Sequence, residues 1–183
     1  MSTQSTITNT EIPAGTWTVD PVHSSASFEV EHGGLSLFRA GFSEFTGSLV
    51  VDDETSRLEG VARVDSVDID LPDLKGHLLS PEFFDAENHP EIRFTADDVR
   101  AEDGAVTVSG ELALAGVSKP VQASGQLRGP AAGLGGDERI SIALATVVDR
   151  TDYGFHWNMD LPGGGQALGN DVKLTVHLEL VRG

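Results

Sequence analysis

The groups in this chain that could do acid–base or metal chemistry are six histidines and 29 carboxylates, and there is no cysteine. Thiol catalysis, disulfides and thiolate metal sites are therefore excluded. His23, His32, His77, His89, His156 and His177 include no pair at the close spacing of a helical zinc motif. His23 and His89 stand near prolines in turns, and His177 falls on the polar face of a strand. No metal ligand set is expected from them, and a site assembled across strands is the weaker reading. Asp65, Asp68 and Asp70 recur near one strand end. Asp68 and Asp70, with a histidine such as His77, could serve a small hydrolase or isomerase as paired acid and base. A solvated acidic rim is the simpler account of the same residues. No serine sits in a Gly-x-Ser-x-Gly elbow. Gly163-Gly164-Gly165 lacks the strand-to-helix setting and the Lys-Ser/Thr pair of a phosphate loop. No catalytic residue and no cofactor are expected.

The charge balance narrows the partners. Twelve basic residues against 29 acidic ones give a net charge of −17. Nucleic acid is disfavoured, because that binding rests on phosphate neutralisation by Lys and Arg. An anionic membrane surface is disfavoured for the same reason. A ligand should be neutral, or should meet a local patch of cations. Met1 to Glu11 is polar and lacks the apolar core of a secretory signal. No run is apolar enough for a spanning helix, so stable membrane insertion is not expected. The chain reads as cytoplasmic.

The elements that must position any site are strands. Val172, Leu174, Val176, Leu178 and Leu180 alternate with Lys173, Thr175, His177 and Glu179. That is the period of a half-buried strand. The same rhythm recurs around Trp17, from Ala26 to His32, from Phe45 to Val51, and in the runs around Phe94, Leu112, Leu127 and Leu144. Asp103-Gly104 is a hairpin signal. Leu35 to Phe38 reads as one apolar turn of helix. The pattern breaks in a helical insertion near residues 73–86, where Ser80 resembles an N-cap with Pro81 at the first helical position. Residues 1–13 read as a disordered tail and 14–183 as one barrel domain. The fold class is all-β, with about eight antiparallel strands, and such a sheet tends to close because closure removes its edges. An eight-stranded barrel has room for side chains or for one small ligand. The eight phenylalanines and two tryptophans are spread over most of the chain. They form either an ordinary core or a tunnel for a long apolar ligand. A helical lid from Leu74 to Phe84 favours the tunnel.

Several segments carry a more specific signal. They are Trp17-Thr18-Val19-Asp20-Pro21-Val22-His23-Ser24, Phe28-Glu29-Val30-Glu31-His32 and Gly41-Phe42-Ser43-Glu44-Phe45-Thr46-Gly47. Further along come His77-Leu78-Leu79-Ser80-Pro81-Glu82-Phe83-Phe84-Asp85 with Pro90-Glu91-Ile92-Arg93-Phe94, then the run Gly110 to Pro120, then Asp149-Arg150-Thr151-Asp152-Tyr153-Gly154. In this order the chain resembles the YceI-like family over residues 16–182. It departs from the family pattern at Asp73-Leu74-Lys75-Gly76, at Tyr153 where Phe is usual, and at His156-Trp157-Asn158-Met159. The resemblance implies a lipocalin-like, eight-stranded antiparallel barrel that binds a polyisoprenoid or an isoprenoid quinone for storage, transport or protection. It also implies a homodimer. Many relatives carry a secretory signal, a feature that does not carry over here. The ligand is expected against Phe28, Val30, Phe42, Phe45, Phe83, Phe84, Phe94, Leu112, Leu114, Leu144, Val176 and Leu178. The acidity of the chain favours a neutral head such as a quinone. A pyrophosphate would need Arg39, Lys75, Arg93 or Arg150, and Arg150 is expected in an ion pair with Asp149 or Asp152. The alternatives are the Asp68/Asp70/His77 enzyme and a filled barrel that serves protein interaction or stress protection.

Overall fold

The alternating runs form ten strand segments in the computed structural model, which describes residues 12–183. They are β1 (Gly15–Val19), β2 (Ser25–His32), β3 (Ser36–Gly41), β4 (Phe45–Val51), β5 (Ser56–Arg63), β6 (Glu91–Glu102), β7 (Ala105–Leu114), β8 (Val117–Ala132), β9 (Glu138–Asp149) and β10 (Leu168–Arg182). All pairings are antiparallel, and β1 bonds to both β4 and β10, which closes the sheet into a ring. β1 and β2 lie along the same edge of β10, with Trp17 opposite Arg182 and Val30 opposite Val172. β4 and β3 run alongside them in the same way. The ten segments are thus eight staves, two of them broken. One break falls at Pro21, which has no N–H for a ladder bond. The other falls at Phe42, which keeps a single bridge to Val67.

The turns follow from local chemistry. Asp103 and Gly104 have φ of 53° and 75°, the paired positive values of a two-residue hairpin. Gly33 and Gly34 also take positive φ, 65° and 66°, in a three-residue loop completed by Leu35. The chain therefore folds straight back, His32 opposite Ser36, and Leu37 and Phe38 lie in β3 rather than in a turn of helix. Gly125 is required for another reason. A Cβ there would lie 1.8 Å from the carbonyl oxygen of Ala143 on the neighbouring stave.

The insertion between β5 and β6 holds a short 3-10 turn (Val64–Ser66) and α1 (Pro72–Leu79). Pro72, not Pro81, opens the helix, and Ser80 ends it in an extended conformation. The carbonyl of Ser80 then accepts the amides of Phe83 and Asp85, so its role is to start the turns that carry Phe83 and Phe84.

Two apolar layers fill the barrel. At one end Trp17, Leu49, Val106, Val108, Ile140, Ile142 and Leu180 are fully buried, a dense plug in which each large side chain contributes about 1.5–3 kcal/mol. Ile12 joins this layer at 2% exposure, and the Trp17 indole donates to the Pro13 carbonyl at 3.0 Å. The end of the expected tail is therefore part of the plug, while its first eleven residues lie outside the described residues. At the other end the insertion, the end of β3 and the β9–β10 connection bring together Phe42, Val64, Val67, Leu78, Phe83, Phe84 and Phe155.

Candidate functional site

Between the plug and the aromatic end lies a cavity of about 390 Å³. Its wall follows from the pleat, since residues on alternate positions of each stave point inward. β2 supplies Phe28 and Val30, β6 supplies Phe94, β7 supplies Leu112 and Leu114, β9 supplies Leu144, and β10 supplies Val176 and Leu178. Phe42 and Phe45 flank the second break, and Phe83 and Phe84 enter from the insertion. Every residue named above as a candidate for ligand contact therefore stands on this one wall. Val30, Phe42, Phe83, Phe84, Leu112 and Leu144 are also buried by their neighbours. Phe28, Phe45, Phe94, Leu114, Val176 and Leu178 are half-buried.

The aromatic end is a packed array. Phe84 lies 6.1 Å from Phe28, 6.0 Å from Phe42 and 5.4 Å from Phe155, all edge-to-face. Phe83 lies 5.5 Å from Trp157. His77 of α1 sits edge-on to both, 5.0 Å from Phe83 and 4.9 Å from Trp157. These separations are those of favourable aromatic pairs. Phe155, Trp157 and Leu168 also line the cavity, and sequence reasoning passed over them as wall residues. They precede or begin β10 in an irregular segment where no periodicity marks a face. Val172 and Leu174 line it too, and the alternation of β10 could have named them.

The polar groups sort into three sets. Asp20, His23 and Glu179 present three possible metal ligand atoms within 4.8 Å of one another. A guanidinium already joins them: Arg139 donates to Asp20 at 2.9 Å and to Glu179 at 2.6 Å. The His23 ring is 2.9 Å from Asp20. These bonds to His23 and Arg139 hold the Asp20 carboxyl well below its ordinary range, and Asp20 in turn raises His23. The arrangement is a charge clasp across the first stave break. In the second set, His77 pairs with Glu82 at 2.8 Å. Among the described residues neither Asp68 nor Asp70 makes a side-chain bond to it, and Asp68 lines a separate surface groove beside Arg39. The partner of His77 is thus Glu82 rather than either aspartate.

The third set corrects an expectation. Arg150 forms no ion pair with Asp149 or Asp152 among the described residues. It is buried on the cavity wall at 4% exposure and donates to three carbonyls: Gly169 at 2.8 Å, Phe155, and Trp157 at 2.9 Å. Asp149 is turned the other way and accepts the Thr151 amide and hydroxyl at 2.8 and 2.6 Å. Burial lowers the Arg150 guanidinium from its ordinary value. Tyr153, on the same wall, is 3% exposed, its hydroxyl has no partner among the described residues, and burial pushes its phenol up. Of the other expected cations, Arg39 is paired with Glu29 and Arg93 with Glu91, both at the exposed surface, and Lys75 is half-buried on α1 and does not line the cavity.

Similar proteins share this frame. A UPF0312 protein of Photorhabdus laumondii is 28% identical over 163 residues, which is 87% of this chain and 82% of that protein. A UPF0312 protein of Pseudomonas aeruginosa is 27% identical over the same shares. Among solved structures, BcnA of Burkholderia cenocepacia superposes with a TM-score of 0.74 at 16% identity, covering 88% of this chain and 98% of BcnA. A Campylobacter jejuni YCEI protein reaches 0.70 at 23% identity, covering 84% and 90%. A polyisoprenoid binding domain from Saccharophagus degradans reaches 0.67 at 15% identity, covering 91% and 98%. Residues 17–180, from the first stave to the plug end of the last, match the YceI-like domain, and with its closed antiparallel barrel this chain belongs to that family.

Proposed function

We propose that the protein binds a long-chain isoprenoid lipid, a polyisoprenoid or an isoprenoid quinone, and carries or shelters it without turning it over. The observation that carries this reading is the apolar cavity of about 390 Å³ under an aromatic cap. Its volume falls within the range of small-molecule sites. At roughly 30 Å³ per carbon, taken as the liquid volume of a water-sized group, it takes about a dozen carbons. Burying a dozen methylenes yields about 10 kcal/mol before the costs of association. A longer chain needs more room, which the aromatic cap can yield because its contacts are side-chain packing rather than sheet ladder. The polyisoprenoid-binding domain of Saccharophagus degradans, a neighbour in fold, supports the ligand class.

The test is mass spectrometry of lipids extracted from the protein purified from its native host. A stoichiometric isoprenoid is expected, and its absence sinks the reading. An acyl lipid in its place would keep the cavity as the site and change the ligand class. The same reading includes a cytoplasmic site of action and a homodimer, which host fractionation and light scattering check.

A further inference from the structure

Arg150 and Tyr153 bracket one 3-10 turn (Arg150–Tyr153), and both line the cavity at its aromatic end. A guanidinium has five N–H donors. Here Nε and Nη1 are spent on three backbone carbonyls, and Nη2 has no acceptor among the described residues. Carbonyls satisfy donors but do not neutralise charge, and no carboxylate lies within ion-pair distance among the described residues. A buried cation left in that state is costly unless something compensates it. In a chain with 29 acidic side chains, the lack of a paired carboxylate at this one buried cation is the unexpected feature. The Tyr153 hydroxyl adds a second demand. It is shielded from water and has no hydrogen-bond partner among the described residues, and orphan groups of this kind are rare in native proteins.

We infer that this end of the cavity is the head-group anchor: an acceptor oxygen on the ligand's polar end bonds to Arg150 and Tyr153, and the tail runs from there toward the Trp17 plug. The inference rests on the lipid reading and adds an orientation and a head chemistry to it. A quinone carbonyl and a phosphate oxygen share that acceptor chemistry. The rest of the wall is mainly apolar; its other titratable side chains are His32, Glu59 and His77, of which His77 is held by Glu82 at 2.8 Å, and Arg39, Lys75 and Arg93 do not line it. Arg150 also ties the Phe155–Trp157 segment to the start of β10, so replacing it risks the fold. Tyr153→Phe removes only an oxygen that has no protein partner.

The experiment titrates the full chain and the Tyr153→Phe variant with three probes of equal tail length: a farnesyl-substituted benzoquinone, farnesyl phosphate and the hydrocarbon farnesene. Affinity is read by calorimetry, and thermal melting reports folding. The wild type should bind at least one head-bearing probe about tenfold or more tighter than farnesene. Tyr153→Phe should cut that preference severalfold, with farnesene affinity and melting unchanged. Whichever head-bearing probe wins names the head class. No preference in the wild type, or a preference that survives Tyr153→Phe undiminished, overturns the anchor and leaves the lipid reading standing. Failure of all three probes, farnesene included, removes the lipid reading and the anchor with it.

Discussion

Leu114 ends β7 on the cavity wall, half-buried and packed against the aromatic layer. Its place between plug and cap makes it a gauge of ligand length. Leu114→Trp should cost no more than about 1–3 kcal/mol in stability, the usual range for overpacking, because the extra bulk has a cavity to enter. It should shift selectivity toward shorter isoprenoids by roughly tenfold, about 1.4 kcal/mol. Competition between short and long prenyl chains measures this, and unchanged selectivity would remove Leu114 from the tail's path. Leu114 was legible in the sequence because it ends a clean alternation that starts at Val106. Arg150 was not. Its nearest carboxylate in sequence, Asp149, invites an ion pair, yet that side chain instead caps its own 3-10 turn through Thr151. Tyr153 was noticed as unusual, but its missing partner is a property of the folded wall.

The first stave shows how an element is kept whole after its ladder breaks. Pro21 interrupts the strand, and the clasp of Asp20, His23, Arg139 and Glu179 pins the break to β9 and β10. Ser24 adds a further tie, its hydroxyl accepting the Glu179 amide at 2.9 Å. The clasp has a pH signature. His23 is raised by its hydrogen bond to Asp20, so its contribution is fully present below the unfolded value near 6.5 and is lost as pH rises through the folded value. Asp20 is lowered, so its contribution is fully present above the ordinary carboxylate range and is lost progressively as pH falls below that range. The melting advantage of the wild type over His23→Gln should therefore be largest near pH 6 and shrink toward pH 9. A difference that stays flat across that window would mean that the histidine's charge plays no part. The residues of this clasp stand in a recognisable order in the sequence, but Arg139 is distant in the chain, and only stave pairing brings it in. The insertion was likewise found by its broken period, whereas its helix start was misplaced. Ser80-Pro81 and Leu71-Pro72 both look like helix openings, and only packing of Leu78 into the cap decides between them.

For the molecule as a whole, the barrel is sealed at one end by a dense plug and at the other by packed aromatic side chains. A ligand that bridges the two layers should stabilise the entire ring, since one ladder runs through every stave. At a hundredfold excess over the dissociation constant, binding adds about 2.7 kcal/mol. For a domain of this size that is a rise of about 5–10 °C in the melting temperature. Differential scanning calorimetry with an isoprenoid quinone should show it. A water-soluble quinone with no tail should give a much smaller shift, because the methylenes supply most of the binding energy. Equal shifts from the two would place the affinity in the head rather than in the cavity.

Ring closure joins residue 17 to residue 182, nearly the two extremes of the chain. Contacts so far apart in sequence form late and slowly. A growing polypeptide can pair β4 with β5 and lay down the hairpins from β6 to β9 as they emerge. It cannot complete the hoop until β10 has left the ribosome. On the lipid reading, cargo can therefore be gripped only once β10 has emerged and paired, and whatever hands over the lipid must meet a completed hoop rather than a partial one.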